Sequence, residues 1–130
     1  MSKAFLDSHV ALWLANGSWQ LSDNALHEIN RHSARAVSAL TFAEFDMKSR
    51  LGAKFDLVSL RQHLEANHFE VESYGIDAAF AIARFPFLSG HDPFDRMIFS
   101  QAASQRNTTF FTADRKLLAL GLDWVHDARS

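Results

Sequence analysis

Short apolar runs recur along this chain, and nearly every one is followed by a segment whose apolar residues repeat at helical spacing. "KAFL" (3–6) precedes "HVALWLANG", a short helix that Asn16-Gly17 brings to an end. "AVSAL" (36–40) precedes a helix that opens at Thr41 and stops at Gly52. "FEVESY" (69–74) alternates like a strand and precedes the short helix "DAAFAIARF". "TTFF" (108–111) precedes a last short helix and an edge strand at "DWV" (123–125). Between these units, Ser22 caps a helix in which Leu26 and Ile29 share a face, and Asp56 caps one running through Leu57, Leu60 and Leu64. Pro93 takes a first-turn position in a helix that continues to about Arg106. Parallel strands need crossovers, and the helices supply them. The alternation therefore predicts an α/β fold: a central, mostly parallel, twisted sheet of about five strands with helices on both faces.

At 130 residues the chain is expected to form one domain over 1–130, with no linker, repeat or low-complexity tract to divide it. It contains no cysteine, which excludes disulfides and thiolate metal sites and suits a reducing cytoplasm. No apolar run approaches the roughly 18 residues of a membrane helix. The N-terminal segment enters the folded pattern at once, so no leader and no membrane association are expected. The net charge of −2 argues against non-specific wrapping of nucleic acid. It leaves room for an enzyme that holds phosphate through metal ions. Basic residues gather at Arg31, Arg35, Lys48, Arg50, Lys54 and Arg61, and again at Arg96, Arg106, Arg115 and Lys116. These read equally as scattered solvated charges or as a phosphate-binding rim.

Ligand sites in open parallel α/β sheets lie beyond the carboxyl ends of the strands. Four acids fall there. Asp7 follows "KAFL", Glu44 is expected in the first turn of the helix after "AVSAL", Asp95 in the first turn after the proline loop, and Asp114 just after "TTFFTA". Each also has a purely structural reading. Thr41-x-x-Glu44 matches a capping box, Asp92 before Pro93 reads as an N-cap with Asp95 where the helix dipole favours negative charge, and Asp7 and Asp114 suit turns or caps. Together they carry a further meaning, because carboxylates converging in one cleft repel one another unless protons or a cation intervene. An oxygen-only donor set without HExxH suits Mg²⁺ or Mn²⁺ better than Zn²⁺. By spacing the seven histidines form no ligand pattern. His9 and His91 neighbour the acids and are read chiefly as hydrogen-bonding residues, with contact to a substrate as the alternative.

The segments "FLDSHVALW", "SALTFAEFDMK", "HDPFDRMIFSQA" and "FFTADRKL" resemble, in order, the four acidic motifs of PIN-domain proteins, and most closely those of VapC-type toxins. The resemblance runs from about Ala4 to Leu118, and its most specific part is "HDPFDR", an apolar helix and then "FFTADR". It implies a metal-dependent endoribonuclease, the toxin of a type II toxin–antitoxin pair. Asp7, Glu44, Asp95 and Asp114 would hold Mg²⁺, with Mn²⁺ as an alternative. Thr112 matches a hydroxyl that often lies two residues before the last acid, and Ser8 stands where many relatives have threonine. Asp92 is read chiefly as a helix cap, with a supporting place beside the metal site as the alternative. Lys48, Arg96 and Arg115 adjoin the acids and are expected to bind substrate or steady the carboxylates.

The resemblance further implies an RNA substrate, a small VapB-like antitoxin and a homodimer. Trp13 and the Phe42–Phe45 region are expected in the core or along a partner seam. The competing functional reading is a catalytically silent PIN-like module that binds RNA or protein. A receiver domain would need an acidic pair after the first strand, where a single Asp7 precedes Ser8. A haloacid-dehalogenase-type phosphatase would need Asp at the position of His9.

Overall fold

The computed structural model describes residues 2–49, 52 and 54–130; Arg50, one of the basic residues singled out above, lies outside them. Five strands form one sheet: β1 (Lys3–Leu6), β2 (Ala34–Ser38), β3 (Glu70–Glu72), β4 (Thr108–Thr112) and β5 (Val125–Asp127). Their order across the sheet is β3-β2-β1-β4-β5, and every pair is parallel. Helices α1 (Ser8–Asn16) and α2 (Asp23–Arg31) connect β1 to β2. Helices α3 (Ala39–Ser49) and α4 (Leu57–Ala66) lead on to β3. Helices α5 (Ile76–Ala81) and α6 (Pro93–Ala103) lead to β4, and α7 (Arg115–Leu118) to β5. Two 3₁₀ turns, Ile82–Arg84 and Pro86–Leu88, build the proline loop.

Strand alternation divides the core into two layers. Ala4, Leu6, Val37 and Phe111 point to one face, where they pack with Val10, Ile29, Phe45 and Leu64. Phe5, Ala36 and Phe110 point to the other, against Phe85, Ile98, Phe99 and Leu117. Phe99 meets Phe110 edge-on at 5.8 Å and lies stacked with Trp124 at 5.1 Å. The predicted helices on both faces of a parallel sheet are thus present.

Several boundaries differ from the sequence expectation. The second helix-bearing unit starts at Ala39, not Thr41, because Ser38 Oγ accepts the Leu40 amide at 3.0 Å and turns the chain out of β2. Thr41 is therefore inside α3 and makes no capping box; its hydroxyl pairs with Ser8 Oγ at 3.1 Å. Helix α6 ends at Ala103, short of Arg106, and the edge strand is displaced to Val125–Asp127. Phe45 is fully buried and stacks on Phe55 at 4.5 Å, so it belongs to the core and lines no partner seam. Trp13 packs partly buried against the same layer.

Phe110 is fully buried, whereas Trp19 is 89% exposed. Phe110→Ala is expected to cost about 3–5 kcal/mol and Trp19→Ala no more than about 0.5 kcal/mol. Urea denaturation followed by circular dichroism checks both; equal losses would contradict the layer assignment.

Candidate metal centre

The chain winds outward from β1 to β2 and β3, then crosses back to place β4 on the other side of β1. This reversal opens a crevice at the carboxyl ends of β1 and β4, the place where parallel α/β sheets take ligands. Asp7 leaves β1 and Asp114 leaves β4 on either side of it.

Asp7 caps α1 and is 7% exposed. Its Oδ1 accepts the Ser8 amide at 2.9 Å and its Oδ2 accepts the Thr112 hydroxyl at 2.7 Å. Thr112 Oγ1 in turn accepts the Asp114 amide at 3.0 Å. One buried threonine thus ties the ends of β1 and β4 together and fixes both acids. Ser8 is buried and pairs with Thr41, which docks α1 on α3.

Glu44 lies in the middle of α3, five residues after Ala39 and outside the first turn where the sequence placed it. Thr41, Glu44 and Phe45 are the buried residues of this helix, and their spacing puts them on one inward stripe. Glu44 is 2% exposed; one oxygen accepts Lys48 Nζ at 2.7 Å, and Oε1 is buried with no hydrogen-bond partner. Burying an acceptor unpaired is costly. Partial burial opposes the charge on Lys48, but the hydrogen bond and charge of Glu44, with Asp95 and Asp92 beyond, hold its ammonium above the ordinary lysine range.

Asp92 caps α6, accepting the Phe94 amide at 2.9 Å and the Asp95 amide at 3.3 Å, as the capping reading predicted. Asp95 occupies the first turn. His91, immediately before the cap, has a side chain only 8% exposed, with Nε2 2.6 Å from Asp114 Oδ2 and 3.9 Å from Asp95 Oδ2. Among the described residues, two groups of three offer ligand atoms within 4.8 Å of one another: His91, Asp95 and Asp114, and Glu44, Asp92 and Asp95. Asp95 is common to both, and Asp7 belongs to neither. Asp92 and His91 thus stand nearer to ligand positions than the sequence reading placed them. The signal was their adjacency to Asp95 in "HDPFDR", which a capping role alone would also explain.

The basic residues divide. Lys48 reaches the acids through Glu44, Arg96 lies in the first turn of α6 with its Nε buried and unpartnered, and Arg115 is exposed on α7.

The crowding shows in protonation. Burial, opposed by the Thr112 and Ser8 hydrogen bonds and reinforced by Glu44 and Asp114, pushes Asp7 up to about 6. Burial, then the charges of Asp7, Glu44, Asp92 and Asp114, pushes Asp95 up to about 7. Such a centre holds more carboxylates than the single ammonium of Lys48 balances. The orphaned Glu44 oxygen and the mostly oxygen donor set fit a hard divalent ion.

A carboxyl whose folded pKa exceeds its unfolded value stabilises the native state fully below the unfolded pKa, and that stabilisation is lost as pH rises through the folded pKa. For Asp95 the window runs from 3.8 to about 7. Asp95→Asn should therefore raise the melting temperature of metal-free protein by several degrees near pH 8, and the advantage should shrink steadily as pH falls through the window, vanishing only below the unfolded value of 3.8. Scanning calorimetry of both proteins across this range checks it; a variant no more stable than the parent near pH 8 would contradict the crowding.

A profile of the PIN domain family matches residues 4–121. No curated protein sequence matches the chain. Among solved structures, the fold is similar to VapBC2 from Rickettsia felis bound to a promoter DNA fragment, at TM-score 0.67 and 16% identity over 96% of this chain and 98% of that one. It is also similar to a toxin–antitoxin complex from Klebsiella pneumoniae, at TM-score 0.66 and 21% identity over 96% and 97%. A third is VapBC-1 from nontypeable Haemophilus influenzae, at TM-score 0.67 and 16% identity over 98% and 99%. With a family profile spanning nearly the whole sequence and the parallel sheet in place, the chain belongs to the PIN domain family.

Proposed function

We propose that this protein is a metal-dependent endoribonuclease, the toxin of a type II toxin–antitoxin pair. The observation that carries the reading is the carboxylate cluster at the switch point, with a buried Glu44 oxygen left without a partner. Asp95, Glu44, Asp92 and Asp114 would hold the ion, and Asp7, fixed through Thr112 and Ser8, would face it from β1. When bound, Mg²⁺ or Mn²⁺ supplies an acidified water and neutralises charge on the phosphate.

The protein's own groups do the rest. Thr112 holds the Asp7 and Asp114 segments in register, so the acids do not spring apart under mutual repulsion. Lys48 lowers the negative potential at the mouth through Glu44. Arg96 and Arg115 flank the acids along the chain and would draw in the RNA backbone, which an acidic centre otherwise repels. Attack by water, and not by the ribose 2′-hydroxyl, gives 5′-phosphate and 3′-hydroxyl ends.

The solved toxin–antitoxin assemblies that share this fold support a small VapB-like antitoxin as partner. A homodimer and a cytoplasmic setting belong to the same reading. No helix among the described residues is long and apolar enough to cross a membrane.

Purified protein incubated with total cellular RNA is expected to give discrete fragments with Mg²⁺ and none with chelator, and Asp7→Asn and Asp95→Asn should each abolish them. Alanine at Lys48, Arg96 and Arg115 together should slow cleavage by at least about tenfold, since hydrogen bonds to charged groups are worth roughly 1.5–3 kcal/mol each. Metal-independent cleavage, or 2′,3′-cyclic phosphate ends, would refute the mechanism. Folded, partner-free protein that binds RNA without cutting it would favour a silent binding module.

A further inference from the structure

We infer that His91 is a nitrogen ligand of the metal ion in this centre, giving it a mixed donor set that favours a transition ion such as Mn²⁺ over Mg²⁺. This inference rests on the metal-dependent reading above.

The position of His91 is built by the proline loop. Pro86 starts a 3₁₀ turn through Leu88, and the Leu88 carbonyl accepts the His91 amide at 2.9 Å. Asp92 then caps α6. The imidazole is thereby held at the mouth of the crevice, between the first turn of α6 and the end of β4, with only 8% of the side chain exposed.

The distances suit ligation. An octahedral ion with ligands at about 2.1 Å spaces neighbouring donor atoms about 3.0 Å apart and opposed ones about 4.2 Å apart. His91 Nε2 lies 2.6 Å from Asp114 Oδ2 and 3.9 Å from Asp95 Oδ2. An ion between these atoms needs them to open by only a few tenths of an ångström. The 2.6 Å contact shows that the imidazole nitrogen already faces the Asp114 carboxylate, the oxygen with which it would share an ion.

An independent sign that this centre takes a cation comes from the neighbouring group. Glu44, on a different helix, is 98% buried with one oxygen unpartnered, and its ligand atom lies within 4.8 Å of one on the same Asp95. That second group is all oxygen, whereas the His91 group contains a nitrogen. Mg²⁺ prefers oxygen and keeps its waters, while first-row transition ions gain from imidazole.

Pulsed electron paramagnetic resonance on Mn²⁺-loaded protein reads the ligand directly, apart from activity. The parent protein should show coupling from a directly bound ¹⁴N, and folded His91→Gln should lose it. Its Mn²⁺ affinity should fall by about 10–100-fold, with Mg²⁺ affinity changing by less than about threefold. Bound Mn²⁺ that is lost in Asp95→Asn but never shows nitrogen coupling would overturn the His91 assignment and leave the metal-dependent reading standing. Absence of Mn²⁺ binding by folded parent protein at millimolar ion would overturn both. Coupling that persists in His91→Gln would assign the nitrogen elsewhere and overturn the inference.

Discussion

The burial of several carboxylates side by side in one crevice is the constraint around which this site is arranged. Asp95 feels the charges of Asp7, Glu44, Asp92 and Asp114 at once. A chain under no such demand would let these side chains swing into solvent. Here they are held back by specific bonds: Thr112 and the Ser8 amide on Asp7, Lys48 on Glu44, and His91 on Asp114. The fold spends hydrogen bonds to keep like charges together, which makes structural sense when a cation completes the group.

Parallel topology is what makes the convergence possible. Every strand ends at the same edge, so residues far apart in sequence arrive at one rim. Asp7 and Thr112 are separated by 105 positions yet meet at 2.7 Å because Leu6 and Phe111 are partners in the β1–β4 ladder. The two aromatic-rich layers beneath the rim leave little room for the strands to shift relative to one another, since interiors are close-packed. The second buried network serves the same end at the opposite side of β1. Ser38 donates to Gln101 at 2.6 Å, and Gln101 in turn donates to the Glu72 and Ser73 carbonyls, tying α6 to the ends of β2 and β3.

The sheet, its parallel sense and the two helical layers were legible because periodicity and apolar runs report burial directly. Helix ends were legible where a side chain dictates them, as at Ser22, Asp56 and Asp92. Thr41 misled because it matches a capping pattern, while Ser38 in fact turns the chain two residues earlier and moves Glu44 from the first turn to the helix middle. The acids at the rim were legible from the rule for parallel sheets. Their partners were less so. That His91 reaches Asp114, 23 residues away, depends on the path of the proline loop, which no local pattern encodes. The orphaned Glu44 oxygen is likewise a property of three-dimensional packing.

If a divalent ion displaces the protons that burial favours on Asp95 and Asp7, proton release on binding measures it directly. Calorimetric titration with Mn²⁺ in buffers of different ionisation enthalpy counts the protons that leave. With Asp95 near 7 and Asp7 near 6, ion binding should release a substantial fraction of a proton near pH 6.5 and almost none near pH 8.5. Binding with no proton release at the lower pH would show that the carboxylates are already charged there and would contradict the account.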